Sequence, residues 1–167
     1  GMPQEALMEK AGIQISRWLL KKKPLLNNGI TVFIGPGHNG GDGAVIAREL
    51  FLKGFYVQVW CPFPIKKTLT NDHLNYLTSI GVTKLVEPPD ANRKDLWIDA
   101  VFGNNQTRKV DDKLIKLFNQ KFHKKSGKVI SIDIPTGLCP DKGEPFLEDA
   151  VKADYTLAIG LYKIGLT

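Results

Sequence analysis

A run of β-branched and aromatic residues, Ile30-Thr31-Val32-Phe33-Ile34, passes straight into Gly35-Pro36-Gly37-His38-Asn39-Gly40-Gly41-Asp42-Gly43. A short apolar run with no polar alternation suits a strand buried on both faces. The helix-like segment Ala44 to Lys53 follows and stops at Gly54. Strand, glycine-rich connection and helix in this order begin a βαβ unit, and the rest of the chain repeats the alternation. Strand-like runs are expected at Tyr56 to Trp60, Lys84 to Val86, Leu96 to Phe102, Lys128 to Ile134 and Tyr155 to Ile159. Helices are expected at residues 4–20, Asn71 to Ile80 (stopped by Gly81) and Asp112 to Phe122. Alternating strands and helices predict an α/β domain with a mostly parallel sheet.

Composition narrows the functional classes. The chain has 167 residues, enough for one domain with a real core, and is 43% hydrophobic, which excludes a disordered chain. No apolar run approaches the ~20 residues of a membrane span, so no membrane partner is expected. The formal net charge is +6. The basic runs Lys21–Lys23, Lys66–Lys67 and Lys124–Lys125 are short, separated and without interleaved aromatics, so they read as solvated surface and not as a nucleic-acid face. Cys61 and Cys139 lie far apart and form neither a metal spacing nor a redox pair. They read as reduced thiols of a cytoplasmic protein.

In parallel α/β sheets, ligands bind beyond the carboxyl ends of the strands. Three strand ends here carry polar groups and glycines. They are the Gly35–Gly43 stretch, Asp99 with Phe102-Gly103, and Asp133-Ile134-Pro135-Thr136-Gly137. Gly35 to Gly40 matches G-x-G-x-x-G, a weak signal by itself. The acidic residue that holds a cofactor ribose in dehydrogenases is missing, because the second strand ends Val59-Trp60-Cys61-Pro62-Phe63. An oxidoreductase is therefore disfavoured. No Gly-Lys-Ser/Thr follows, so an NTPase loop is excluded. A plain turn needing positive φ explains the glycines, but not Asn39 and Asp42 beside a helix N-terminus.

These three blocks resemble the signatures of the YjeF N-terminal domain, the NAD(P)H-hydrate epimerase family. Leu7-Met8-Glu9-Lys10-Ala11-Gly12 resembles the family's first helix, and Ala153-Asp154-Tyr155-Thr156 with Gly160 its penultimate strand. The resemblance covers nearly the whole chain. It implies a Rossmann-like three-layer α/β/α sandwich and an isomerase that interconverts the R and S forms of hydrated NADH and NADPH. It also implies a bound potassium ion, with Asn39, Asp99 and Thr136 as ligands. These are hard oxygen donors of the kind an alkali cation takes.

Substrate contacts carried over by the same resemblance are His38, Asn39, Gly40, Gly41 and Asp42, then Gly103, Asn104, Asn105, Gln106, Thr107 and Arg108, with Asp133. Asp133 is the first candidate acid/base and Asp42 the second. The plainer alternative for Asp133 is a turn cap before Pro135. Arg108, Lys109 and Lys163 are open as phosphate contacts or solvated cations, and His73 and His123 read as surface residues. Two departures stand out. His38 replaces the family's usual Asn, and Gly103-Asn104-Asn105-Gln106 lacks the usual second glycine.

The resemblance further implies a homodimer, and a dehydratase either fused to this domain or acting as its partner. The chain reads as a single domain, 1–167, trimmed from a longer bifunctional protein. The competing function is a non-catalytic interaction domain. By resemblance, the same fold serves in mRNA-decapping scaffolds and in apolipoprotein binding. A scaffold has no need of Asn39, Asp42, Asp99 and Asp133 together, which favours the enzyme.

Overall fold

The computed structural model describes residues 1–103, 106, 112–146 and 149–159. β1 (Ile30–Ile34) is buried at all five positions, as its sequence predicts. It lies between β2 (Val57–Trp60) and β4 (Leu96–Ala100) and is parallel to both. With β3 (Thr83–Lys84), β5 (Val129–Ile132) and β6 (Tyr155–Leu157), the sheet runs β3-β2-β1-β4-β5-β6, and every pairing is parallel. The chain works outward from β1 to one edge, then returns to β4 and works outward to the other. This is the doubly wound order, with its switch point between β1 and β4.

Side chains alternate across the sheet and feed two cores. On one face Ile30, Val32, Ile34, Leu96, Ile98 and Ala100 pack with α1 (Gln4–Leu20), α2 (His38–Leu52) and α3 (Thr68–Ile80). On the other, Phe33, Trp97, Val101 and Val129 pack with Ile115 and Phe118 of α4 (Asp112–Lys124). The expected three-layer sandwich is what forms. α3 stops at Gly81, whose φ of 103° is the left-handed cap that favours glycine.

Two local expectations are corrected. α2 begins at His38, not at Ala44, so Gly40, Gly41 and Gly43 are helical residues. None of them has positive φ. Their role is close approach. A Cβ on Gly40 would lie 2.1 Å from the Gly35 carbonyl oxygen, and one on Gly43 2.5 Å from the Cβ of Ala100. One on Gly41 would meet the Met8 side chain at 2.3 Å. Intrinsic propensity disfavours a glycine-rich first turn, and tertiary packing overrides it. His73 is the second correction: it is half-buried on α3, and its Nε2 is buried with no hydrogen-bond partner among the described residues. Burial lowers its pKa. His123 is exposed, as expected.

α1 is fastened to α2 by a two-pronged ion pair. Arg48 Nη1 and Nη2 donate to Glu9 Oε1 and Oε2, each at 2.7 Å. The hydrogen bonds from Arg48 hold the Glu9 carboxyl below its ordinary value of 4.5. The unfolded chain therefore takes up that proton more readily than the folded one. The stabilisation is complete above pH 4.5 and is lost as pH falls through the depressed folded value. In thermal unfolding, Glu9→Gln should sit below wild type near neutral pH, and the gap should narrow under acid. A gap independent of pH would assign the stability to packing alone.

Candidate active site

The loops after β1, β4 and β5 meet at Gly103. A Cβ built there would lie 2.6 Å from Oδ2 of Asp133 and 3.4 Å from Cγ and Oδ1 of Asn39. Any larger residue at 103 would push into the space that these two groups share. The strand ends themselves are equally tight, since a Cβ on Gly35 would fall 1.8 Å from the Val101 carbonyl oxygen. Asn39 stands in the first turn of α2, where free backbone N–H groups favour an anion or a carbonyl oxygen. Its Nδ2 is buried and has no hydrogen-bond partner among the described residues. His38, Asn39, Gly103 and Asp133 are all only partly buried, so this face is open to a ligand.

Asp133 holds an unusual backbone. Its φ is 72°, and the N–H of Ile134 returns to the carbonyl of Ile132 at 3.0 Å. Positive φ with an i to i+2 hydrogen bond marks the rarer, strained hand of γ-turn. Asp tolerates positive φ better than most residues, yet such strain costs about 1–3 kcal/mol and persists only when neighbours hold it. One holder is the Leu157 carbonyl, which accepts from the Asp133 N–H at 2.7 Å. A bare turn cap, the plainer sequence reading, does not require this conformation.

Beneath this face lies a buried polar knot. Asp99 is fully buried. Its Oδ1 accepts from the Thr136 hydroxyl at 2.6 Å and the Val101 N–H at 3.3 Å. Its Oδ2 accepts from the Ser131 hydroxyl and the Thr136 N–H, each at 2.9 Å. Thr136 Oγ1 in turn accepts from the Phe102 N–H at 3.2 Å. Burial raises the Asp99 pKa, and these hydrogen bonds oppose the rise. The dominant cause is desolvation.

The structure thus brings together Asn39, Gly103 and Asp133 at the surface, and Asp99 with Thr136 below them. Asp42 is 1% exposed, inside the second turn of α2. Gln106 is buried, and both ends of its amide bond the backbone of the β5 turn. Ser131 joins the knot without having been singled out from sequence. Its polar side chain in an otherwise apolar strand was the signal, but the register between β4 and β5 is what places Ser131 beside Asp99. Asn104, Asn105, Thr107 and Arg108 lie outside the described residues, as do Lys109, Gly160 and Lys163.

Fold and site together define a doubly wound α/β protein with a polar crevice at the switch point, where proteins of this architecture take nucleotide-like ligands. The chain belongs to the family described as YjeF-related protein N-terminus, which matches residues 4–165. It is 40% identical over 168 residues to the bifunctional NAD(P)H-hydrate repair enzyme Nnr of Gloeobacter violaceus, covering 99% of this chain and 33% of that protein. It is 31% identical to the NAD(P)H-hydrate epimerase of Lentilactobacillus buchneri, over 99% of this chain and 77% of that one. The crystal structure of yeast YNL200c superposes with a TM-score of 0.78 at 25% identity, over 93% of this chain and 70% of that one. The chain spans about a third of the length of the bifunctional relatives it matches. Among the described residues, no helix is long and apolar enough to cross a membrane.

Proposed function

We propose that this chain is an NAD(P)H-hydrate epimerase that interconverts the R and S forms of hydrated NADH and NADPH. The observation that carries the reading is the meeting of Asn39 and the Asp133 carboxylate at Gly103, beside the switch point. Support comes from relatives named for this activity, one of which this chain covers over 77% of its length.

The stereocentre of the hydrate carries a hydroxyl next to the ring nitrogen, so it is a hemiaminal. Inverting it requires loss and return of the hydroxyl, or ring opening and reclosure. Both routes need a proton donor to the departing oxygen and an acceptor on its return. Asp133 is suited to this role because it is open to a ligand, whereas Asp42 is enclosed. The Asn39 amide Nδ2, which has no partner among the described residues, suits the hydroxyl or the nicotinamide carboxamide. The peptide N–H groups of the first turn of α2 suit the cofactor's pyrophosphate.

The same reading includes a potassium ion held by Asn39, Asp99 and Thr136. The residues fit it in kind. Their donors are oxygens, and Asp99 is a fully buried carboxylate with no ion pair among the described residues. Buried charges are ordinarily paired or bound to metal. A cation there would neutralise the knot and stiffen the loops around it. A homodimer, and a dehydratase as fused domain or partner, belong to this reading too. Relatives named as bifunctional repair enzymes support the dehydratase.

The test mixes the hydrate epimers with an S-specific dehydratase and potassium. Consumption of the R form should accelerate over the protein-free control. No acceleration by folded protein would overturn the epimerase and leave the interaction-domain alternative.

A further inference from the structure

Gln106 is a buried polar residue with a divided allegiance. Its backbone N–H donates to the Gly103 carbonyl at 3.2 Å, which fixes it to the loop after β4. Its side chain reaches the loop after β5. Nε2 donates to the Pro135 carbonyl at 3.3 Å, and Oε1 accepts from the Gly137 N–H at 3.0 Å. Both ends of one amide are therefore spent on the two backbone groups that flank Thr136. The residue is 7% exposed, so no solvent competes for these bonds.

The turn so gripped is the one that carries Asp133 in its strained conformation. Asp99 pins Thr136 from beneath, through its N–H and its hydroxyl. The Leu157 carbonyl holds the Asp133 N–H from the β6 side. The Val151 N–H donates to the Thr136 carbonyl and the Phe146 N–H to the Gly137 carbonyl, each at 2.9 Å. Gln106 supplies the anchor from the β4 loop. That loop also presents Gly103, against which the Asp133 carboxylate lies. A shift of either loop alone would change how the Asp133 carboxylate lies against Gly103, and a shift of the β5 loop would also change its separation from Asn39.

We propose that Gln106 is a positioning residue, a clasp between the β4 and β5 loops that sets where the Asp133 carboxylate stands. The proposal rests on the epimerase reading for its consequence in catalysis. Gln106 touches the protein with both amide atoms, so its loss acts on the rate and not on substrate affinity. Small displacements of a reacting group cost rate steeply, on the order of 10²-fold per ångström.

Two variants and two readouts test this. Gln106→Leu fills the space without hydrogen bonds. Gln106→Glu keeps the acceptor for the Gly137 N–H and loses the donor to Pro135. Gln106→Leu should lower kcat by about 10- to 100-fold with KM within about threefold, and Gln106→Glu should fall between it and wild type. In hydrogen exchange, the Gly137 amide of Gln106→Leu should exchange at least about tenfold faster, while amides of β1 and β4 keep their wild-type rates. A raised KM at unchanged kcat would make Gln106 a substrate contact and overturn the clasp. Unchanged Gly137 exchange in both variants would overturn it as well. Wild-type protein without epimerase activity would sink the function instead, and the exchange arm would still decide whether Gln106 holds the turn.

Discussion

Asp133→Asn is expected to lower kcat by about 10²- to 10⁴-fold, the usual worth of a positioned acid/base. KM and the thermal midpoint should stay near wild type. The change is close to isosteric. Asn tolerates positive φ as well as Asp does, so the γ-turn at φ 72° survives. The N–H bond to Leu157 is a backbone bond and is untouched. What disappears is the ability to give a proton to the departing hydroxyl and to take it back. Steady-state kinetics on the R hydrate, with thermal unfolding of the same preparation, checks both halves. Full activity in this variant would remove Asp133 from proton transfer. An inactive but destabilised variant would return it to the role of turn cap.

The architecture was legible because each level of the chain agrees with the next. An unbroken apolar β1, glycine stops after α2 and α3, and polar groups at three strand ends all describe one parallel sheet with its site at the carboxyl edge. Strand ends were legible to within two residues at most positions, since their side-chain pattern is local. The start of α2 was not. Glycine propensity argues against a helix at Gly40 to Gly43, and the reason for helix there is contact with Gly35, Met8 and Ala100. Those are neighbours only after folding. Gln106 was hidden for the same cause: a Gln beside two Asn residues reads as a polar loop reaching for ligand, and its partners lie some thirty residues away. Asp99 was found because it ends a strand, whereas the hydroxyl of Ser131 needed the register between β4 and β5.

Charge was read least well at the opposite end of the sheet. The excess of lysine reads as surface, yet Lys121 is fully buried on α4. Its Nζ donates to Asp95 Oδ1 at 3.1 Å, to the Arg93 carbonyl at 2.6 Å and to the Ser126 carbonyl at 2.8 Å. Three N–H groups thus meet three acceptors, with the Trp97 ring 4.7 Å from the ammonium. Asp95 is equally occupied, accepting also from Trp97 Nε1 at 3.1 Å and from the Thr31 hydroxyl at 2.5 Å. Gln58 Nε2 completes the chain by donating to Thr31 at 2.9 Å. Burial lowers the Lys121 pKa, and Asp95 opposes the fall.

Lys121→Met keeps the length of the stem and removes the charge. It leaves the buried Asp95 carboxylate without its charged partner and the part-buried Arg93 and Ser126 carbonyls without their donor. Breaking a buried pair in this way costs about 3–5 kcal/mol. For a domain of this size that is a fall of roughly 10 °C in the thermal midpoint. Adding Asp95→Asn should recover part of the loss, because the stranded charge is then gone. An unchanged midpoint in Lys121→Met would show that the pair contributes nothing beyond packing. Epimerase turnover measured well below the midpoint should remain near wild type. Asp95 precedes β4, at the amino end of the strands, whereas Asp99 and the Gly103 junction stand at the carboxyl end. Asp95 just before β4 and Asp99 within it are thus two buried carboxylates with separate duties. The first is fully matched by a lysine and holds the layers together. The second is matched only by neutral donors among the described residues, and it ties the β4 and β5 strand ends together beneath the Gly103 junction.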